Sequence, residues 1–194
     1  MTETPVGAGR SSYDLIDAEK LFTTLSLGPD TAFLDLACGR GDYTLEAAEY
    51  VTSDGVIYAV DLWEEGIAAL RSEANARGLD YVRPQVADVS ERIPVEDRAV
   101  DVCLIASALH DFVREGGHHA AIRELVRVLR PGGRLAVIEF KKVAGTPGPP
   151  VEVRLAPEEV KALLRGQGFD LTETIGVGPY HYLSMYVRVQ NAQP

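Results

Sequence analysis

Phe33-Leu34-Asp35-Leu36-Ala37-Cys38-Gly39-Arg40-Gly41-Asp42-Tyr43-Thr44 carries an apolar strand pattern containing an acid straight into a turn punctuated by glycine. Gly39 and Gly41 leave the backbone free to take positive φ and to approach a ligand closely. Residues 43–51 read as a helix whose amino end faces the same place, so the stretch predicts a loop that cradles a ligand with a carboxylate or polar tail. Asp61 closes the next apolar run, Val56 to Val60. It stands about 20 residues past Gly41, where an acid can accept both hydroxyls of a ribose. Dinucleotide enzymes use the same acid but prefer a third glycine where this chain has Thr44, which makes a pyrophosphate the poorer fit.

Two further segments extend the pattern. Ala87-Asp88-Val89 precedes Ile93-Pro94-Val95-Glu96-Asp97 and the apolar run Val100 to Ala106, which carries Asp101. An acid at a third strand end can accept a hydrogen bond from an adenine amino group. In Val128-Leu129-Arg130-Pro131-Gly132-Gly133-Arg134-Leu135 a helix is expected to stop at Pro131, with two glycines reversing the chain into a strand.

Taken in this order, over about residues 30 to 142, these features resemble the class I methyltransferases that use S-adenosylmethionine. Among them the chain is most similar to the small-molecule branch related to quinone-biosynthesis C-methyltransferases. The resemblance implies a Rossmann-like α/β fold: a seven-stranded, mostly parallel sheet of order 3-2-1-4-5-7-6, an antiparallel last strand and helices on both faces. It implies S-adenosylmethionine as cofactor, S-adenosylhomocysteine as product and a small-molecule acceptor. Asp35 and the backbone from Ala37 through Gly39 to Gly41 would then hold the methionine part of the donor. Asp61, with Leu62 beside it, would take the ribose, Asp88 and Val89 would frame the adenine, and Ser107 would lie near the methyl. Ala37 stands where a glycine is frequent in the family.

Composition sets bounds on the same reading. The 194 residues, 46% hydrophobic, suit one domain with one sizeable core. A net charge of −10 would repel a nucleic acid backbone, so no nucleic acid partner is expected. No apolar run approaches the roughly 18 residues a membrane span needs. The start, Met1 to Ser12, is polar rather than a signal peptide, so a cytoplasmic location is expected. Cys38 lies in the glycine loop and Cys103 in a buried strand pattern, which suggests neither a disulfide framework nor a metal cluster. Cys38 reads as a small packing residue.

Strand-like runs at 31–37, 55–60, 82–87, 100–106, 134–140, 169–175 and 181–189 alternate mostly with helical segments, the rhythm of a parallel sheet covered on both faces. Ile67, Leu70 and Ala74 recur at helical spacing, as do Ile122, Leu125, Val126 and Leu129, and both stripes read as core. Pro84 interrupts the third strand and places it at an edge. The last two strands, joined through Gly176-Val177-Gly178-Pro179-Tyr180, read as an antiparallel hairpin, with Leu183, Met185, Val187 and Val189 on one face and Tyr182, Ser184, Tyr186 and Arg188 on the other. The whole divides into an amino-terminal helical lid (12–27), a donor-binding core (30–142), a short linker or cover (143–156), and a last helix with the terminal hairpin (157–190).

Ligands of open α/β sheets bind beyond the carboxyl ends of the parallel strands, and that rule selects the candidates for chemistry. Methyl transfer from a sulfonium requires alignment, exclusion of water and, for some acceptors, removal of a proton. His110 and Asp111 directly follow the fourth strand and read either as a base that also orients the acceptor or as a helix cap meeting solvent. Glu139, Lys141, Tyr180 and His181 form a second group, either a site for a polar acceptor or a structural rim. His118 and His119 start a helix and are expected in solvent. Asp101 begins its strand, away from the site, and reads as structural. His110, Asp111, Glu139 and His181 lack the spacing of metal ligands, so no metal is expected. The short cover leaves three ways to complete the acceptor side: a small exposed acceptor, a pocket finished by a second subunit in a homodimer, or a domain that binds the donor without transferring its methyl. A nicotinamide-dependent oxidoreductase is the other rival.

Overall fold

A computed structural model of the chain describes residues 8–189, so the polar start discussed above lies outside the described residues as far as residue 7. Seven strands form one sheet in the order β3-β2-β1-β4-β5-β7-β6. They are β1 (Ala32–Leu36), β2 (Val56–Asp61), β3 (Val82–Val86), β4 (Val100–Ala106), β5 (Leu129–Phe140), β6 (Phe169–Gly176) and β7 (His181–Arg188). The first five pair in parallel, whereas β7 runs antiparallel to both β5 and β6. Pro84 does sit on the edge strand, where its missing N–H costs the sheet no central ladder bond.

The period-two alternation of the strands sorts their side chains into two apolar layers. Leu34, Leu36, Val60, Cys103, Ile105, Leu135 and Val137 join helix α5 (His118–Val128) and helix α6 (Pro157–Leu164) on one face. Phe33, Ile57, Val102, Leu104, Ala136 and Ile138 meet helix α1 (Ala18–Leu25) and helix α2 (Asp42–Ala47) on the other. Each fully buried Leu, Ile or Phe contributes about 1.5–3 kcal/mol, so the two layers account for the main cohesion of the sheet. Asp35 points into the second layer, the acid exception in an otherwise apolar row. Helix α1 starts where the Asp17 carboxylate accepts the Lys20 N–H at 3.0 Å. Helix α3 (Glu64–Ala76) buries the predicted stripe Ile67, Leu70 and Ala74, and helix α4 (Leu109–Arg114) follows β4.

Two boundaries differ from the sequence expectation. The helix predicted over 43–51 is the shorter α2, which ends at Ala47. Helix α5 stops at Val128 rather than at Pro131, and Leu129 already belongs to β5. Leu129 pairs with Val100 and Arg134 with Val102, so Arg130-Pro131-Gly132-Gly133 is accommodated as an irregularity within the strand, with Gly132 at φ 78°. Pro131 cannot donate to a ladder and is tolerated because it lies in that bulge.

Asp101 ties together the amino-terminal ends of the central strands, away from their carboxyl ends. Its carboxylate accepts the Ala32 N–H at 2.8 Å and pairs with Arg130 at 2.9 Å. Asp101→Ala leaves the Ala32 amide without its partner, and we expect a loss of about 1–3 kcal/mol. Urea denaturation checks it: the midpoint falls while the slope stays unchanged.

Candidate active site

The site grows from the turn after β1. Ala37 takes a left-handed conformation at φ 60°, and the Ala37 and Cys38 amides both donate to the Val60 carbonyl, at 2.8 and 3.2 Å. Gly41 follows at φ 88°, with its α-carbon so close to Leu70 that an added Cβ would lie 2.4 Å from that side chain. Asp61 binds the loop to the next strand: one carboxylate oxygen accepts Gly39 N–H at 2.7 Å and the other accepts Trp63 N–H at 2.7 Å. A carboxylate offers about four lone-pair directions, so acceptor capacity remains for ribose hydroxyls. Space beside Gly39 is open, with nothing within 4 Å of an added Cβ. Gly66 is a residue that sequence reasoning passed over. A Cβ there would lie 2.3 Å from the Trp63 ring and 2.7 Å from the Gly39 carbonyl, so helix α3 closes on the loop only through a glycine. A lone glycine inside a helical pattern was the signal available.

Beneath the loop, Asp35 is buried and accepts the Thr44 hydroxyl at 2.6 Å. Burial drives its pKa up, the Thr44 bond opposes, and the Asp61 charge adds to the rise, leaving it at about 7 against an ordinary 3.8. After β3, Asp88 holds Ser90 through its amide and hydroxyl at 2.8 and 2.6 Å, and Val89 is buried beside it. Leu62 is 52% exposed and Val86 42%, so the ends of β2 and β3 carry an open apolar edge next to Asp61.

A cavity of about 550 Å³ opens between the glycine loop, the end of β4, the amino-terminal segment and the 148–150 cover. Ala37, Gly39 and Ser107 line it, and Ser107, like Ala37, is left-handed at φ 57°. Such strain in non-glycine residues concentrates at functional sites. The amino-terminal segment reaches the cavity through Ser12, whose hydroxyl lies 2.8 Å from the Tyr43 hydroxyl and accepts the Ser107 hydroxyl at 3.0 Å. Phe140 and the cover residues Gly148, Pro149 and Pro150 form the opposite wall.

His110 also lines the cavity, and the solvent-facing alternative for it is corrected: it is 5% exposed. Its Nδ1 stands 2.9 and 3.1 Å from the two Glu139 oxygens, and its amide donates to the same carboxylate at 3.0 Å. A carboxylate can only accept, so the proton belongs on Nδ1 and Nε2 is left as an acceptor. Burial lowers the imidazole pKa, but the Glu139 hydrogen bond and charge, with Asp111, more than offset it and leave it above the ordinary value. Asp111 lies on the cavity, its carboxylate 3.7 Å from His110 Nε2 and 2.8 Å from Arg114.

The second predicted group does not assemble on the cavity wall. Glu139 is fully buried behind His110. Lys141 fastens the terminal hairpin, its Nζ donating to the Gly178 and Pro179 carbonyls at 2.9 and 3.2 Å. Half-buried Tyr180 contributes its carbonyl to the Lys141 amide. His181 is fully buried against Phe140, its ring nitrogens have no hydrogen-bond partner among the described residues, and burial pushes its pKa down to about 4. These four residues were separated from the cavity by packing that a linear sequence does not display. His118 is likewise half-buried rather than in solvent, while His119 is exposed. Among the described residues no group of three or more His, Cys, Asp or Glu is placed to hold a metal ion.

The sheet order, the terminal hairpin and this glycine cradle are those of the class I S-adenosylmethionine-dependent methyltransferase fold. A model of the family described as methyltransferase domain matches residues 33–133, and the chain belongs to that family. It is 32% identical over 144 residues to the ubiquinone/menaquinone biosynthesis C-methyltransferase UbiE of Burkholderia cenocepacia, a match covering 69% of this chain and 57% of that protein. The chain thus spans little more than half the length of that curated relative. A solved S-adenosylmethionine-dependent methyltransferase from Aquifex aeolicus superposes with a TM-score of 0.83 at 28% identity, covering 92% of this chain and 93% of the other. The solved [4+2]-cyclase SpnF shares the fold at 21% identity, with a TM-score of 0.73 over 88% of this chain and 79% of the other. S-adenosylmethionine is the cofactor of the class, and the cradle fits it: an open Gly39, an acid with spare acceptor sites at Asp61, and an apolar edge at Leu62.

The raised Asp35 pKa has a measurable consequence. The folded value lies above the unfolded one, so the stability present at low pH is lost as pH rises from about 4 to about 7. Asp35→Asn removes that titration, and its melting temperature relative to the unchanged protein is expected to be higher at pH 8 than at pH 5. A pH-independent difference would contradict the assignment.

Proposed function

We propose that the chain transfers a methyl group from S-adenosylmethionine to a small molecule by in-line displacement, with His110 as general base and Glu139 as the residue that positions it. The observation carrying this is the buried His110–Glu139 pair opening onto the same cavity as the glycine cradle. The bound donor supplies a methyl on a sulfonium, which departs as the neutral thioether of S-adenosylhomocysteine. Asp35 and the backbone of Ala37 to Gly41 would orient its methionine part, Asp61 its ribose, and Asp88, Val89 and Leu62 its adenine. Ser107 would lie near the methyl, and the Ser12 bonds to Tyr43 and Ser107, which hold the amino-terminal segment at the cavity, would help to exclude water. His110 takes the acceptor's proton on Nε2 as the new bond to the methyl forms. Glu139 fixes the tautomer and stabilises the imidazolium. The UbiE relative is a C-methyltransferase, which supports a carbon acceptor. The amino-terminal and cover segments of the one chain both line the cavity, which supports a small acceptor over a pocket finished by a second subunit.

Release of S-adenosylhomocysteine from methyl-labelled donor, across a panel of small phenols, enols, amines and thiols, tests the proposal. We expect turnover with at least one acceptor and a loss of about 10²- to 10⁴-fold in kcat for His110→Ala, with donor affinity retained. The acid limb of kcat/KM should sit above the ordinary histidine value of 6.5, because His110 must lose its proton to act. Glu139→Gln should move that limb to lower pH. Donor binding with no transfer to any acceptor would instead make this a donor-binding domain, a real alternative given that the fold also serves a protein solved as a cyclase.

A further inference from the structure

Phe140 forms one wall of the cavity, and positive charge stands behind it. The Arg154 guanidinium lies 5.4 Å from the ring centroid and is 2% exposed. It donates to the carbonyls of Pro149, Lys141, Val143, Pro147 and Thr146 at 2.8, 2.9, 3.1, 3.1 and 3.3 Å, and to the Thr146 hydroxyl at 2.7 Å. Lys141, the residue directly after Phe140, spends its ammonium on two backbone carbonyls. Among the described residues neither cation has a carboxylate within 4.0 Å, whereas neighbouring Lys142 pairs with Glu159 at 2.6 Å. Carbonyl dipoles solvate a cation without cancelling its charge, and buried cations ordinarily have acid partners.

The two acids that line the cavity are paired locally, while Glu139 behind the wall keeps its charge as long as His110 is neutral. Asp42 pairs with Arg40 at 3.2 Å, Asp111 with Arg114 at 2.8 Å, and Glu139 faces His110. Arg10 adds a further cation to the lining. The acceptor end is therefore electropositive in a chain whose net charge is −10. Apolar walls, here Phe140, Pro149 and Pro150, reduce screening and extend such a field into the cavity.

We propose that the acceptor is a small organic anion, drawn to the Phe140 wall by Lys141 and Arg154. This rests on the acceptor site of the methyl-transfer reading, and its test uses simple probes. Benzoate, its neutral isostere benzamide and benzylammonium are titrated by NMR into protein saturated with S-adenosylhomocysteine. Benzoate is expected to bind at least about tenfold more tightly than benzamide, with benzylammonium weakest. Arg154→Met and Lys141→Met should each lower the benzoate-to-benzamide ratio, and Arg154→Lys, which keeps the charge but not the fork of hydrogen bonds, should preserve it. A purely structural Arg154 would lose fold or cover packing in both Arg154 variants without changing the ratio. If Arg154→Met does not fold, Lys141→Met and Arg154→Lys carry the comparison. A ratio near one, a ratio indifferent to both charge-removing variants, or benzoate expelled by S-adenosylhomocysteine would overturn the proposal; the last would assign the charge to the donor's own carboxylate. Failure of S-adenosylhomocysteine to bind would count against the donor reading alone, and the ratio and its response to the variants, measured on the free protein, would still decide the anion preference.

Discussion

The Asp61 carboxylate, accepting the Gly39 and Trp63 amides at 2.7 Å each, is the interaction on which the site depends. It joins the glycine loop after β1 to the start of helix α3, the elements that form the donor side. Leu70 and Gly66 then press that helix against the loop so closely that side-chain growth at Gly41 or Gly66 has no room. The loop is thus a packed turn with one open side. Thr44, which breaks the glycine pattern of a dinucleotide fold, has a positive role here: its hydroxyl is the partner of buried Asp35.

Around this fixed loop the cavity is lined by segments of different origin. Ser12 reaches Tyr43 and Ser107 across 31 and 95 positions of sequence, and Arg154 gathers the 141–149 backbone under the cover. Glu139 at the end of β5 reaches His110 at the start of α4, tying two strand ends together behind the cavity. Each contact is a charge-assisted or hydroxyl bond in poorly solvated surroundings, where satisfied networks are rigid and unsatisfied ones costly. The strained backbone at Ala37 and Ser107 lies where these segments meet.

The strand order and the terminal hairpin were legible because period-two alternation, the edge proline and the missing last helix each restrict topology. The glycine loop and Asp61 were legible because positive φ and a strand-terminal acid leave marks in local sequence. The end of α5 was not, since Pro131 halts a helix and also fits a bulge, and only the pairing of Leu129 with Val100 decides between them. The partnership of His110 with Glu139, 29 positions away, is a tertiary fact. So is the withdrawal of Lys141 and His181 from the wall, for local sequence shows a charged or polar residue at a strand end without showing what it faces. Gly66 and Arg154 carried signals too weak to separate from ordinary helix and surface positions.

Calorimetric titration of the purified chain with S-adenosylmethionine and S-adenosylhomocysteine, with NAD as control, tests the central claim most directly. The donor cradle predicts one site per chain, micromolar-range affinity for both adenosyl ligands and none for NAD. Absence of binding to either adenosyl ligand, or binding of NAD in their place, would contradict it.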